Sequence, residues 1–152
     1  MKQFGTHLVG IVMAAACLTI PALADTPGRH PAYLHALSDL RYSRALLSHP
    51  EEIQVVRDQR AAIDMIDKAI YELKNASYDD RKGLEDHPPI DAHWLRPGRI
   101  HRAIEVLNRA LHDVEKEEDN PAARGWRNSA IQYMREAVRF SEKALRDEHR
   151  FE

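Results

Sequence analysis

One twelve-residue phrase is written three times in this chain: AIDMIDKAIYEL from Ala62 to Leu73, AIEVLNRALHDV from Ala103 to Val114, and AIQYMREAVRFS from Ala130 to Ser141. Large aliphatic residues at Ile63, Ile66, Ile70 and Leu73 are spaced by three and four, which places them on one stripe of a helix. Ile104, Leu107, Leu111 and Val114 repeat the spacing, as do Ile131, Met134, Val138 and, after Ser141, Leu145. An alanine precedes the first residue of each heptad: Ala62, Ala69 and Ala76; Ala103 and Ala110; Ala130, Ala137 and Ala144. Small residues flanking a stripe of larger ones let helices approach closely and interlock at shallow crossing angles. A fourth, looser copy starts at Ala36 with Leu37, Leu40 and Leu47, and has Arg44 where an aliphatic residue belongs. Either helix one turns so that Arg44 reaches the surface, or the guanidinium is buried and requires a carboxylate such as Asp39, Asp64 or Asp67.

The helix starts agree with the stripes. Proline suits the first helical position, where its missing N–H is no loss and its fixed φ is already helical. Pro31, Pro50, Pro97 and Pro121 each open one pattern. Helices are therefore expected near residues 31–48, 50–77, 97–118 and 121–149. Ser48-His49 and Asp119-Asn120 leave room only for tight reversals, so consecutive helices should pair as antiparallel hairpins. Residues 78–96 form a connector too long for a simple turn. The fold expected is all-α: an up-down four-helix bundle of two antiparallel helical hairpins joined by a long connector.

The first residues carry a different signal. Lys2 is followed by the apolar run LVGIVMAAACLTI from Leu8 to Ile20 and by a small-x-small site, Ala22-Leu23-Ala24. That order is the pattern of a secretory signal peptide over residues 1–24, cut before Asp25. The run is shorter than the roughly 20 residues a membrane-spanning helix requires. Residues 25–152 are then one helical domain, with no membrane span after the leader is removed. Cys17, the single cysteine, lies inside the leader, and lipidation there would lack the usual large aliphatic residue three positions upstream. The exported chain has no disulfide and no thiolate chemistry. With 22 Lys and Arg against 24 Asp and Glu, spread along the chain, a nucleic-acid surface is not expected.

At HPAYLHALSDLRYSRALL, His30 to Leu47, the chain resembles an uncharacterised family of small exported bacterial helical-bundle proteins. GRIHRAIEVLNRAL from Gly98 and EEDNPAARGWRNSAI from Glu117 extend the resemblance over most of the exported chain. It implies export and a helical fold, and it brings no catalytic residue.

Histidine is the unusual component, nine in all with one in the leader. In an exported chain without thiols, imidazole and carboxylate are the ligands left for zinc, copper or nickel. EDHPPIDAH places His87, Asp91 and His93 together in the connector, and His101 and His112 follow on helix three. Against this, HExxH, CxxC and EF-hand patterns are all missing, and histidines off the seam are ordinarily solvated. Trp94, Arg96 and Arg99 near the start of helix three, with Arg124 and Trp126 near the start of helix four, are candidates for an anion- or ligand-binding end of the bundle. The plainer account is that the tryptophans cap the core and the arginines are solvated.

No nucleophile elbow, Gly-rich loop or acid/base pair stands out. The function expected is that of a non-enzymatic protein, periplasmic or secreted, without a cofactor, that binds a protein partner or a second copy of itself. The alternative is a periplasmic metal-binding protein that uses the His- and Asp-rich connector. Intact-mass measurement of the protein recovered from a bacterial host expressing the full chain should show a polypeptide beginning at Asp25. A mass that retains Met1 to Ala24 would count against the leader.

Overall fold

The computed structural model describes residues 31–49, 53–78, 84–85, 90, 98–117, 121–148 and 150. Four helices account for nearly all of them: α1 (Pro31–Leu47), α2 (Ile53–Ala76), α3 (Arg99–Lys116) and α4 (Arg124–Glu148). Among the described residues there is no strand, and no helix is long and apolar enough to cross a membrane. The protein is an all-α four-helix bundle.

The starts follow the prolines only in part. Pro31 is the first residue of α1. Pro121 stands instead in a three-residue turn ahead of α4, and Pro50 and Pro97 lie outside the described residues. Gly98 precedes α3 with φ 106°, a left-handed conformation that suits a residue without Cβ. Its carbonyl accepts the Arg102 N–H at 2.8 Å, closing the first turn.

Burial sorts the repeated phrase more sharply than its spacing does. Positions one, five, eight and twelve are fully buried in all three copies: Ala62, Ile66, Ala69 and Leu73; Ala103, Leu107, Ala110 and Val114; Ala130, Met134, Ala137 and Ser141. Helix α1 obeys the same rule with Ala36, Leu40, Ser43 and Leu47. Positions two and nine are only partly buried at Ile63 and Ile70, and at Ile104 and Leu111. At 100° per residue, the four central positions fall within about 60° of one another, while two and nine lie about 40–60° beyond that arc, at the edge of the seam. The alanines therefore form the centre of each seam rather than its flank. Arg44 occupies position nine, at the edge, where it is half exposed and donates to Asp67 at 2.6 and 3.1 Å. Arg44 thus reaches the surface, the first of the two alternatives, and Asp67 is its partner there. Ser43 takes the central place and donates to the Ala103 carbonyl at 3.2 Å, so the polar substitution in that seam is satisfied.

Polar contacts between helices give their directions. Asp39 accepts two hydrogen bonds of 2.6 Å from Arg109, while Ser43 meets Ala103, so α1 and α3 are antiparallel. Lys143 pairs with Asp58, and the Lys68 ammonium lies 5.9 Å from the Tyr133 ring centroid, so α2 and α4 are antiparallel. Asp58 and then Asp147 hold the Lys143 ammonium pKa above its ordinary value. Arg135 meets Glu115 at 2.8 Å, whereas the charge of Glu148 acts on Arg99, so α3 and α4 are antiparallel too. It follows that α2 opposes α1 and runs parallel to α3. Each hairpin, α1 with α2 and α3 with α4, is antiparallel, as the short connections suggested, but α2 and α3 run parallel, so the succession is up-down-down-up rather than alternating.

The broadest interface is α2 with α4, followed by α1 with α3, and the narrowest is α1 with α2. Helices α1 and α4 never come within 8 Å of each other, Cα to Cα, nor do α2 and α3. The bundle's ring order is therefore α1, α2, α4, α3. Lengths match within the two main pairs, 17 and 18 residues for α1 and α3, 24 and 25 for α2 and α4. The segment between Tyr78 and Gly98 joins opposite ends of the bundle. On it, Leu84 packs on the core and its carbonyl accepts from Arg41 at 2.5 Å, while Glu85 pairs with Lys74.

Because Ala69 sits at the centre of the α2 seam without exposure, Ala69→Leu should overpack it and lower stability by about 1–3 kcal/mol. Urea unfolding followed by circular dichroism measures this. An unchanged midpoint would show that alanine is not required at the centre.

Candidate ligand-binding site

The narrow α1–α2 interface leaves a groove where the end of α1 faces the first half of α2. Its volume is about 450 Å³, within the range of small-molecule sites. Leu47, Val56 and Ile63 form its apolar lining, and Arg44, Ser48, His49, Gln59 and Arg60 its polar lining. The α2 residues Val56, Gln59, Arg60 and Ile63 are spaced by three, four and seven, which puts them on one face. Arg44, Leu47 and Ser48 do the same on α1.

Gln59 is the unusual member. It stands one heptad before Ile66, a large central core position, where α1 has Tyr33 and α3 has Ile100. Heptad placement therefore buries it, to 3 % exposure, and its side-chain Nε2 has no hydrogen-bond partner among the described residues. An unsatisfied buried amide costs about 1–3 kcal/mol. The buried serines are satisfied: Ser43 by Ala103, Ser77 by Leu73 and Ser141 by Ala137. Extending the twelve-residue phrase one heptad upstream of Ala62 places Gln59 at a central position, a signal present in the sequence.

The groove's charges are graded. Arg44 is neutralised by Asp67, whose hydrogen bonds raise its pKa above the ordinary arginine value despite partial burial. Two of its five N–H donors are used there. Arg60 is exposed and makes no ion pair or hydrogen bond among the described residues. The site thus combines one cation without a partner among the described residues, a buried amide able to donate or accept, a hydroxyl and an imidazole around an apolar floor.

None of the described sequence-derived candidates lines this groove. His87, Asp91, His93, Trp94 and Arg96 lie outside the described residues. His101 and His112 are both exposed on α3, eleven residues or about 16 Å apart along the axis. His101 faces Glu105 at 3.4 Å, and Glu105 also takes Arg102 at 2.9 Å, which with His101 holds its carboxyl below the usual range. Among the described residues no group of three or more His, Cys, Asp or Glu is placed to hold a metal.

The proposed ligand end is divided by the topology. Arg99 begins α3, while Arg124 and Trp126 begin α4, and these two helices are antiparallel. The two sets are separated by the length of α3, about 27 Å for 18 residues. Arg99 is mostly buried, and desolvation lowers its pKa from the ordinary value against the opposing pull of Glu148. At the opposite end, Arg127 in the first turn of α4 donates to the carbonyls of Val114 at 3.0 Å and Glu115 at 2.6 Å, and so caps the end of α3. Trp126 remains 45 % exposed and closes no core.

Gln59→Leu fills the same central position without an amide, so it should raise stability by about 1 kcal/mol. A lower urea midpoint in the variant would mean that the amide is satisfied in solution and the position is structural. No protein-family model, curated protein or solved structure matches the chain.

Proposed function

We propose that the chain is an exported, non-enzymatic helical-bundle protein whose role is binding, and that the α1–α2 groove is where it binds a small molecule. Export is supported by the leader pattern over residues 1–24 and by the resemblance to small exported bacterial proteins. Binding is supported by one observation above others: a groove of about 450 Å³ is lined by an amide that the protein buries without a partner. Core positions of this kind are ordinarily apolar, and a polar group is kept at such cost where it meets something. Among the groove's described lining residues no nucleophile is paired with a base, so a binding role fits their chemistry better than a catalytic one.

Ligand binding to the native state alone raises the unfolding temperature. A panel of small carboxylates, amines, alcohols and sugars at millimolar concentration should include compounds that raise the melting temperature of the wild-type protein by about 2–8 °C. Ile63→Trp, which fills the groove from its apolar side, should abolish that rise. A panel without effect, or effects that persist in the filled variant, would remove the groove as the binding site.

A further inference from the structure

Resting on that reading, we infer that the groove selects a small monoanion, a carboxylate carried on a short apolar body. The charge argument comes first. Arg44 is matched by Asp67, which leaves Arg60 as the one cation in the groove wall without a partner among the described residues. A single negative charge on the ligand completes this balance, whereas a second would sit near the Asp67 carboxylate.

Hydrogen bonding points the same way. Gln59 holds a donor, Nε2, out of solvent and without an acceptor among the described residues. Arg44 keeps N–H groups beyond the two that Asp67 takes, and Arg60 has its full set. The polar side of the groove is therefore rich in donors, although the Ser48 hydroxyl gives its proton to the Arg44 carbonyl at 2.7 Å. Donors converging around a fixed cation recognise an oxyanion, and a carboxylate is the oxyanion that matches a planar guanidinium with one charge. A cationic ligand would meet Arg44 and Arg60 and find no carboxylate among the groove's described lining residues.

The opposite side fixes the rest of the ligand. Leu47, Val56 and Ile63 offer contact for a few methylene groups and no hydrogen bond. With the carboxylate near Gln59 and Arg60 and the hydrocarbon on these three side chains, both halves of the groove are used. A free fatty acid of short chain and an apolar amino-acid derivative share this chemistry.

The test uses the protein as it accumulates in cells expressing the full chain, labelled with ¹⁵N, and three probes of one length: hexanoate, hexylammonium and hexanol. Resonances of the Gln59 side-chain amide, identified by their loss in Gln59→Leu, and the Arg60 Nε–H report on the groove. Hexanoate should shift both, and Arg60→Gln, a surface change compatible with folding, should weaken its binding about tenfold. N-acetyl-leucine and its amide then separate an amino-acid derivative from a simple fatty acid, since only the former pair tests a second polar group. Hexanoate binding that is equal in wild type and Arg60→Gln would overturn the inference. So would shifts at Gln59 with hexanol or hexylammonium but not with hexanoate, a result that would leave the groove as a binding site. Silence with every probe, together with a flat thermal panel, would remove both.

Discussion

The structure depends on how closely its helices can approach, and alanine sets that distance. Each seam alternates a small and a large residue at its centre, with alanine or serine at positions one and eight of the phrase and mostly larger residues at five and twelve. Where alanine faces a neighbouring helix, the backbones come near enough for large side chains above and below to interdigitate. The α2–α4 pair has this pattern along both partners, and it is the broadest interface in the molecule. In α1 the second alanine is replaced by Ser43, and the same closeness lets its hydroxyl reach a backbone carbonyl across the interface.

Around these seams, charge has a directional rather than a cohesive role. Exposed ion pairs contribute little to stability, typically below about 1 kcal/mol each. Arg109 with Asp39, Arg44 with Asp67 and Arg135 with Glu115 each link a different pair of helices, and each fits only one sliding position of one helix on another. Four similar alanine faces can pair in several ways, so these contacts help to select among alternatives of comparable packing.

Much of the fold was legible because helical periodicity is local. All four helices stood in the sequence, and boundaries differed by only a few residues. Which helix packs on which was not legible, since the four faces are nearly interchangeable and the connector permits either side. The helix lengths did hold a clue, because two short and two long helices alternate along the chain and the structure pairs like with like. The groove was hidden for a different reason. Gln59 precedes the first alanine of the phrase and reads as one polar residue among VRDQR, while its burial comes from continuing the heptad backwards. Arg44 drew notice as a break in the aliphatic pattern, yet it lies at the seam's edge, and the break that matters to the core is a glutamine.

The ring order carries a consequence in time. Helix α2 has its principal partner in α4, the last helix made, and Asp58 meets Lys143 across 85 residues of chain. A bundle built from self-sufficient hairpins gathers its contacts locally and quickly, whereas one closed by distant partners must bring far-apart segments together first. As the chain emerges N-terminus first, α2 appears with its alanine row uncovered and waits for nearly all of the remaining sequence. Any process that handles this protein before its synthesis ends meets α2 as an amphipathic helix without its mate.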